Sequence, residues 1–137
     1  MRTALDSNII SALWSAEAST PSIRSELRTA RSLGSLVICA PVYAELAAHP
    51  LEPERFMDRF FSDTGITVEF LLDEDIWRRA AFAFAAHARR RRRSGGTSPK
   101  RVLPDFIIAS HAFLRADRLF TLDPSRYQQD FPDLRLV

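Results

Sequence analysis

The sequence has one cysteine, one lysine and no long apolar run, and each scarcity excludes a class of protein. A single cysteine rules out an internal disulfide framework and a zinc site built from several cysteines. Cys39 stands in the apolar run 36–40, where a buried and inert thiol is expected. Because Lys100 is the only lysine, chemistry that needs a placed lysine, such as a Schiff base or a phosphate-binding loop, has little support.

The absence of long hydrophobic segments bears on location. No stretch approaches the roughly 20 apolar residues that span a bilayer, and the N-terminus lacks the pattern of a secretion signal. We therefore expect a cytoplasmic protein that does not enter a membrane. The 137 residues are 46% hydrophobic and 26% charged, which is typical of a folded chain. Their number favours a single domain over residues 1–137.

Short apolar runs alternate with segments of helical periodicity along the whole chain. The runs predict strands at about 2–5, 36–40, 66–71 and 118–121, and a further edge strand at 134–137. Between them, the periodicity and the capping residues predict helices at about 7–14, 20–33, 42–48, 53–64, 74–91 and 123–129, and a further helix that starts at 103 and carries apolar residues as far as 113. Strands that alternate with helices imply an α/β fold, in which a parallel sheet of four to five strands is covered on both faces.

Four acidic residues fall where predicted strands end or where the next helices begin. Asp6 follows the first strand, and Glu45 lies one turn into the helix after the second. Asp105 lies in the first turn of its helix, and Asp123 follows the fourth strand and is predicted to cap the next helix. Ligands of parallel sheets bind beyond the carboxyl ends of the strands. Each acid alone could be a helix cap, a helix-dipole partner or a surface group, but capping gives no reason for all four to share one edge.

Such a cluster predicts a cation site. Like charges in a shared site stay ionised only when a cation neutralises them. Oxygen ligands without nearby Cys or His favour Mg²⁺ or Mn²⁺, which would lower the pKa of a water and neutralise charge on a phosphate. Asp6 and Asp105 are best placed as direct ligands, and Asp123 binds directly or through water. Glu45 would orient a water, bind a second ion or act as a base. The supporting polar residues are Asn8 and Thr121.

An arginine run at residues 89–93 ends the longest predicted helix and leads into a Gly- and Ser-rich loop. Cations at a helix C-terminus are favoured by its dipole, so a solvated helix end is one interpretation. Five adjacent cations also repel one another, so a contact with RNA phosphates is the other. The candidate RNA-binding residues are Arg89, Arg90, Arg91, Arg92, Arg93, Lys100 and Arg101.

Four short motifs, in their order along the chain, resemble those of the PIN-domain family, and in particular its VapC-type ribonuclease toxins. They are Leu-Asp-Ser-Asn-Ile at 5–9, Val-Tyr-Ala-Glu-Leu at 42–46, Pro-Asp-Phe-Ile-Ile-Ala at 104–109 and Leu-Phe-Thr-Leu-Asp at 119–123. The resemblance covers essentially the whole chain and implies a compact α/β/α sandwich with Mg²⁺- or Mn²⁺-dependent endoribonuclease activity. It also implies a homodimer and a small antitoxin partner that blocks the site. By motif it assigns the acidic site to Asp6, Glu45, Asp105 and Asp123, supported by Asn8 and Thr121.

Two other functions remain open at this level. One is a PIN-like protein that binds RNA or a partner without cutting, although the acidic set is intact. The other is a phospho-acceptor signalling domain, which also gathers acids around Mg²⁺ on a doubly wound sheet. That scheme expects adjacent acids after the first strand and a lysine after a late strand. Here Asp6 stands alone and Lys100 lies in a basic loop, which counts against it.

Overall fold

A computed structural model describes residues 1–49, 54–96 and 102–137 of the chain. Among these residues, no helix is both long and apolar enough to cross a membrane. Helices and strands alternate, as the sequence predicts. In chain order they are β1 (Arg2–Leu5), α1 (Ser7–Trp14), α2 (Thr20–Leu33), β2 (Ser35–Cys39), α3 (Ala40–Ala47), α4 (Glu54–Thr64), β3 (Thr67–Glu69), α5 (Glu74–Arg93), α6 (Leu103–Arg115), β4 (Arg118–Phe120) and α7 (Ser125–Gln128).

The four strands form one parallel sheet in the order β3-β2-β1-β4, flanked by helices. The predicted α/β architecture is therefore confirmed. Strands β1 and β4 are neighbours although they stand at opposite ends of the sequence. Their register places Leu5 opposite Phe120, so both strands end at the same level of the sheet. Helix α5 packs along α6, while α1 packs against α2 and α3.

The central strands are apolar because both faces of the sheet are covered. Val37, Ile38 and Cys39 of β2 are all buried, although their side chains alternate between the two faces. Burial raises the pKa of the Cys39 thiol to about 12. The thiol therefore stays protonated at neutral pH, in agreement with the prediction that it is inert.

The outer strands are shorter than predicted. The apolar run 66–71 contributes only Thr67–Glu69 to the sheet, because its partner β2 ends at Cys39, opposite Glu69, and the next residue begins α3. Phe70 and Leu71 are exposed instead. The predicted edge strand at 134–137 runs parallel to β4. Leu119 N–H donates to the Arg135 carbonyl and Val137 N–H to the Leu119 carbonyl, each at 2.9 Å, and Thr121 N–H donates to the Val137 carbonyl at 3.2 Å.

Glu69 is an acid inside a predicted strand. It does not interrupt the strand, because its side chain is part of a polar cluster. Its carboxylate pairs with Arg2, and its Oε2 lies 2.5 Å from Nε2 of the buried His111. Partial burial would raise the pKa of Glu69, but the contacts with His111 and Arg2 outweigh it and lower the pKa. These three residues join β1, β3 and α6, so the cluster has a structural role.

Candidate active site

The pairing of β1 with β4 sets the position of Asp6. Its backbone N–H donates to the carbonyl of Phe120 at 3.0 Å, which continues the ladder one residue beyond Leu5. Asp6 and Thr121 therefore lie side by side at the carboxyl edge of the sheet, although 115 positions separate them in the sequence. This is the edge at which ligands of parallel sheets bind.

Asp6 is almost fully buried, at 1% exposure, and three protein donors hold its carboxylate. Its Oδ1 accepts from the backbone N–H of Ser7 at 2.8 Å, so Asp6 caps α1. Its Oδ2 accepts from the hydroxyls of Thr121 and Tyr127, each at 2.8 Å. An ionised carboxylate away from water needs such donors, because burying it unpaired is costly.

Asn8 and Thr121 fasten the loop after β4 to helix α1. Asn8 donates from Nδ2 to the Thr121 hydroxyl at 3.2 Å, and its Oδ1 accepts from the backbone N–H of Leu122 at 3.1 Å. The same hydroxyl accepts from the backbone N–H of Asp123 at 3.1 Å. The structure thus brings Asn8 and Thr121 into contact, in positions suited to the supporting role that the sequence predicts.

The other three predicted acids line one open pocket of about 580 Å³, together with Ser125 and Arg126. Glu45 comes from α3 and Asp105 from the first turn of α6, as the sequence predicts. Asp123 lies in the turn after β4, but the residue that caps α7 is Pro124 and not Asp123, so that prediction is wrong by one position. Instead, the Asp123 carboxylate accepts from the Ser125 hydroxyl at 2.7 Å.

The pKa of Glu45 responds both to desolvation and to the other charges of the site. Glu45 is exposed, but neighbouring groups remove part of its hydration, and this desolvation is the main cause that raises its pKa. The charges of Asp6 and Asp105 raise it further. The Ser7 hydroxyl donates to Glu45 Oε2 at 2.7 Å and acts in the opposite direction. Asp6 is too deeply buried to form the pocket wall, yet its charge reaches Glu45.

Two site residues on α7 escape the sequence analysis. Arg126 lies between two of the acids, with Nη1 3.6 Å from Asp105 Oδ1 and Nε 3.4 Å from Asp123 Oδ2. Tyr127 is buried and donates to Asp6. Their nearness in sequence to Asp123 was the available signal, but a helix of four residues has too little periodicity to show which way each side chain points.

The donor set suits Mg²⁺ or Mn²⁺, since every acid offers hard oxygen atoms. After desolvation, the negative charges of Asp6 and Asp105 also raise the pKa of Glu45, and such repulsion between like charges favours a cation among them. In the described part of the chain, however, no three His, Cys, Asp or Glu side chains are close enough together to hold a metal ion as they stand. The residues fit such an ion by chemistry, and binding it requires them to close in from their present positions.

The arginine run divides into residues with different surroundings. Arg90 forms an ion pair with Asp130, whose side chain is only 2% exposed and also lies 3.4 Å from His87 Nδ1. Arg89, Arg92 and Arg93 are exposed near the end of α5. Arg91 is partly buried, and its guanidinium lies close to Gly96. The predicted contacts of Lys100 and Arg101 lie outside the described residues.

Comparisons with known proteins agree with this architecture. The family model described as PIN domain matches residues 3–132, and the chain therefore belongs to the PIN domain family. A search of curated protein sequences found no match.

Several solved structures share the fold. One is VapBC-1 from nontypeable Haemophilus influenzae, with a TM-score of 0.66 and 24% identity, over 100% of this chain and 97% of that one. Another is VapBC2 from Rickettsia felis, described as bound to a DNA fragment from the VapBC2 promoter. It has a TM-score of 0.61 and 21% identity, over 100% of this chain and 98% of that one. A third is a toxin–antitoxin complex from Klebsiella pneumoniae, with a TM-score of 0.61 and 18% identity, over 98% of this chain and 95% of that one.

Proposed function

We propose that this chain is an endoribonuclease dependent on Mg²⁺ or Mn²⁺, and that it acts as the toxin of a toxin–antitoxin pair. The observation that carries the proposal is the pocket formed by Glu45, Asp105 and Asp123, with the charge of Asp6 behind it. It lies at the carboxyl edge of a sheet with the fold of the PIN domain family. The similarity to structures described as VapBC and toxin–antitoxin complexes supports the toxin role.

The four acids have separate roles in this proposal. Asp6, Asp105 and Asp123 would hold the metal ion, which requires Asp6 to exchange one of its three protein donors for the ion. Thr121 and Asn8 keep the loop after β4 in place. When bound, the ion supplies Lewis acidity that lowers the pKa of a water and neutralises charge on a phosphate. Glu45 orients the attacking water and accepts its proton, because its raised pKa makes it a better base than an ordinary glutamate.

The remaining assignments complete the proposal. The chain is one domain in the cytoplasm, forms a homodimer, and is blocked by a small antitoxin. The exposed arginines 89, 92 and 93 add to the RNA-binding surface, since guanidinium groups bind phosphates well. Arg90 contributes less, because it is already paired with Asp130.

The test is incubation of the purified protein with structured RNA, in Mn²⁺, in Mg²⁺ and in chelator. Asp105→Asn is compared with Asp133→Asn, an identical change at an exposed aspartate that does not line the pocket. We expect Asp105→Asn to lower the cleavage rate at least about 100-fold, in line with the loss of a group that acts in the transition state, and Asp133→Asn to leave it unchanged. Cleavage that persists in chelator or in Asp105→Asn would refute the metal site.

The toxin role needs its own experiment. Expression of the gene alone should arrest growth, and co-expression with a gene that encodes its cognate antitoxin, for which the upstream neighbour is the first candidate, should restore growth. Binding of RNA by the wild type without cleavage under any metal condition would instead support the non-cleaving alternative.

A further inference from the structure

Arg126 joins two carboxylates that come from different parts of the fold. Asp105 belongs to the first turn of α6, and Asp123 to the turn before α7. The guanidinium lies 3.6 Å from one and 3.4 Å from the other. Among the described residues that line this pocket, Arg126 is the only cationic one.

Among the described residues, two carboxylates lie beside the guanidinium of Arg126, and both belong to acids that the proposed function assigns to the metal ion. The guanidinium therefore supplies a positive charge between Asp105 and Asp123.

We propose that Arg126 is a built-in counter-cation that competes with the divalent metal ion for Asp105 and Asp123. Metal binding at this pocket is then an exchange of cations, in which the guanidinium leaves the carboxylates as the ion arrives, and Arg126 sets the metal affinity. This inference rests on the proposed function, because it concerns the same metal site.

The geometry makes such an exchange accessible. Both separations are longer than the 2.7–2.9 Å of a strong charge-assisted hydrogen bond. The Arg126 side chain is also 40% exposed, so part of it already faces water, toward which it can turn. A carboxylate binds the divalent ion more strongly than it binds the guanidinium, because the ion carries twice the charge and has a smaller radius.

The size of the effect follows from Coulomb repulsion. A single positive charge a few ångströms from a divalent ion costs on the order of a tenfold loss of affinity even at the dielectric constant of water. Removal of the charge at residue 126 should therefore lower the dissociation constant for Mn²⁺ about tenfold. Any shielding of the pocket from water would enlarge this change.

The experiment is calorimetric titration of Mn²⁺ into chelator-treated and dialysed protein. Four forms are compared, which are wild type, Arg126→Gln, Arg126→Lys and Arg28→Gln. Arg28 is exposed on α2 and lines a different surface, so its change removes one charge away from the site. We expect about tenfold tighter binding for Arg126→Gln, with Arg28→Gln and Arg126→Lys within about threefold of wild type.

A second measurement keeps the test informative if Arg126→Gln is poorly folded at room temperature. The thermal midpoint of each form is recorded in chelator and in saturating Mn²⁺. The rise produced by Mn²⁺ should be larger for Arg126→Gln than for wild type, because ligand stabilisation grows with affinity. Arg126→Lys keeps the charge and should behave as wild type.

The outcomes separate this inference from the proposed function. If wild type binds Mn²⁺ and Arg126→Gln binds it no more tightly, the counter-cation role is refuted and the metal site stands. Equal tightening in Arg28→Gln or Arg126→Lys would also refute it, because the effect would then not depend on charge at this position. If Mn²⁺ binds to none of the four forms, the metal site and the inference both fail.

Discussion

The hydroxyl of Tyr127 offers the sharpest test of how the buried carboxylate is held. Tyr127→Phe removes one oxygen from a side chain that is 1% exposed and leaves the ring in place. The lost bond is 2.8 Å long and ends on Asp6, which is equally buried, so water cannot replace it. Ser7 and Thr121 still donate to the carboxylate.

The expected loss of stability in Tyr127→Phe follows from those contacts. A hydrogen bond to a charged group contributes about 1.5–3 kcal/mol, and burial places this bond toward the upper end of that range. At about 4 °C per kcal/mol for a chain of this length, the thermal midpoint should fall by about 6–12 °C. Urea unfolding followed by circular dichroism gives the same free energy independently.

The chain supplies a matched control in Tyr43→Phe. The Tyr43 hydroxyl also donates to an aspartate at 2.8 Å, but its partner Asp58 is exposed. That change should cost less than about 1 kcal/mol, because water can solvate the released carboxylate. If both variants lose the same stability, the buried bond between Tyr127 and Asp6 is not what holds the carboxylate.

Two further predictions concern the acids and the arginine run. Glu45→Gln should stabilise the chelator-treated protein modestly, since the raised pKa of Glu45 means that its ionisation opposes folding. The gain in stability over wild type should be close to zero below about pH 4 and should grow as pH rises through the raised folded-state pKa of Glu45. A gain in the thermal midpoint that does not depend on pH would contradict this. Arg90→Gln should cost about 1–2 kcal/mol, because it removes the guanidinium paired with the buried Asp130 carboxylate. The exposed Arg92→Gln should cost less than about 0.5 kcal/mol, and equal losses in urea unfolding would show that the run acts as one unit.

The sequence predicts the parts of this molecule that depend on local patterns. The apolar runs locate β2 and most of β1 and β4 because a strand covered on both faces has few polar positions, with Arg2, Thr3 and Arg118 among the exceptions. A parallel sheet brings the ends of its strands and the starts of many helices to one edge, which is why the sequence predicts that Asp6, Glu45 and Asp105 lie near one another. The family motifs led to the same residues.

The parts that the sequence does not predict depend on contacts between distant segments. In the sequence, Arg126 is typical of a surface charge and Tyr127 of a core aromatic residue. No local sequence pattern indicates that either side chain lies beside Asp6 or Asp105. The arginine run reads as one feature, whereas Arg90 meets Asp130 because the C-terminal segment packs on α5. The length of β3 likewise depended on where its partner β2 ends.

The hydrogen bonds between Asn8 and the loop after β4 have a consequence for the order of events during synthesis. During synthesis Asp6 is made 115 residues before its Thr121 donor and 121 residues before its Tyr127 donor. A nascent chain therefore carries an incomplete site, and a fragment that ends before residue 121 lacks β4's loop entirely. If the protein cleaves RNA, a nascent chain gains a complete site only after Thr121 and Tyr127 have been synthesised and have reached Asp6.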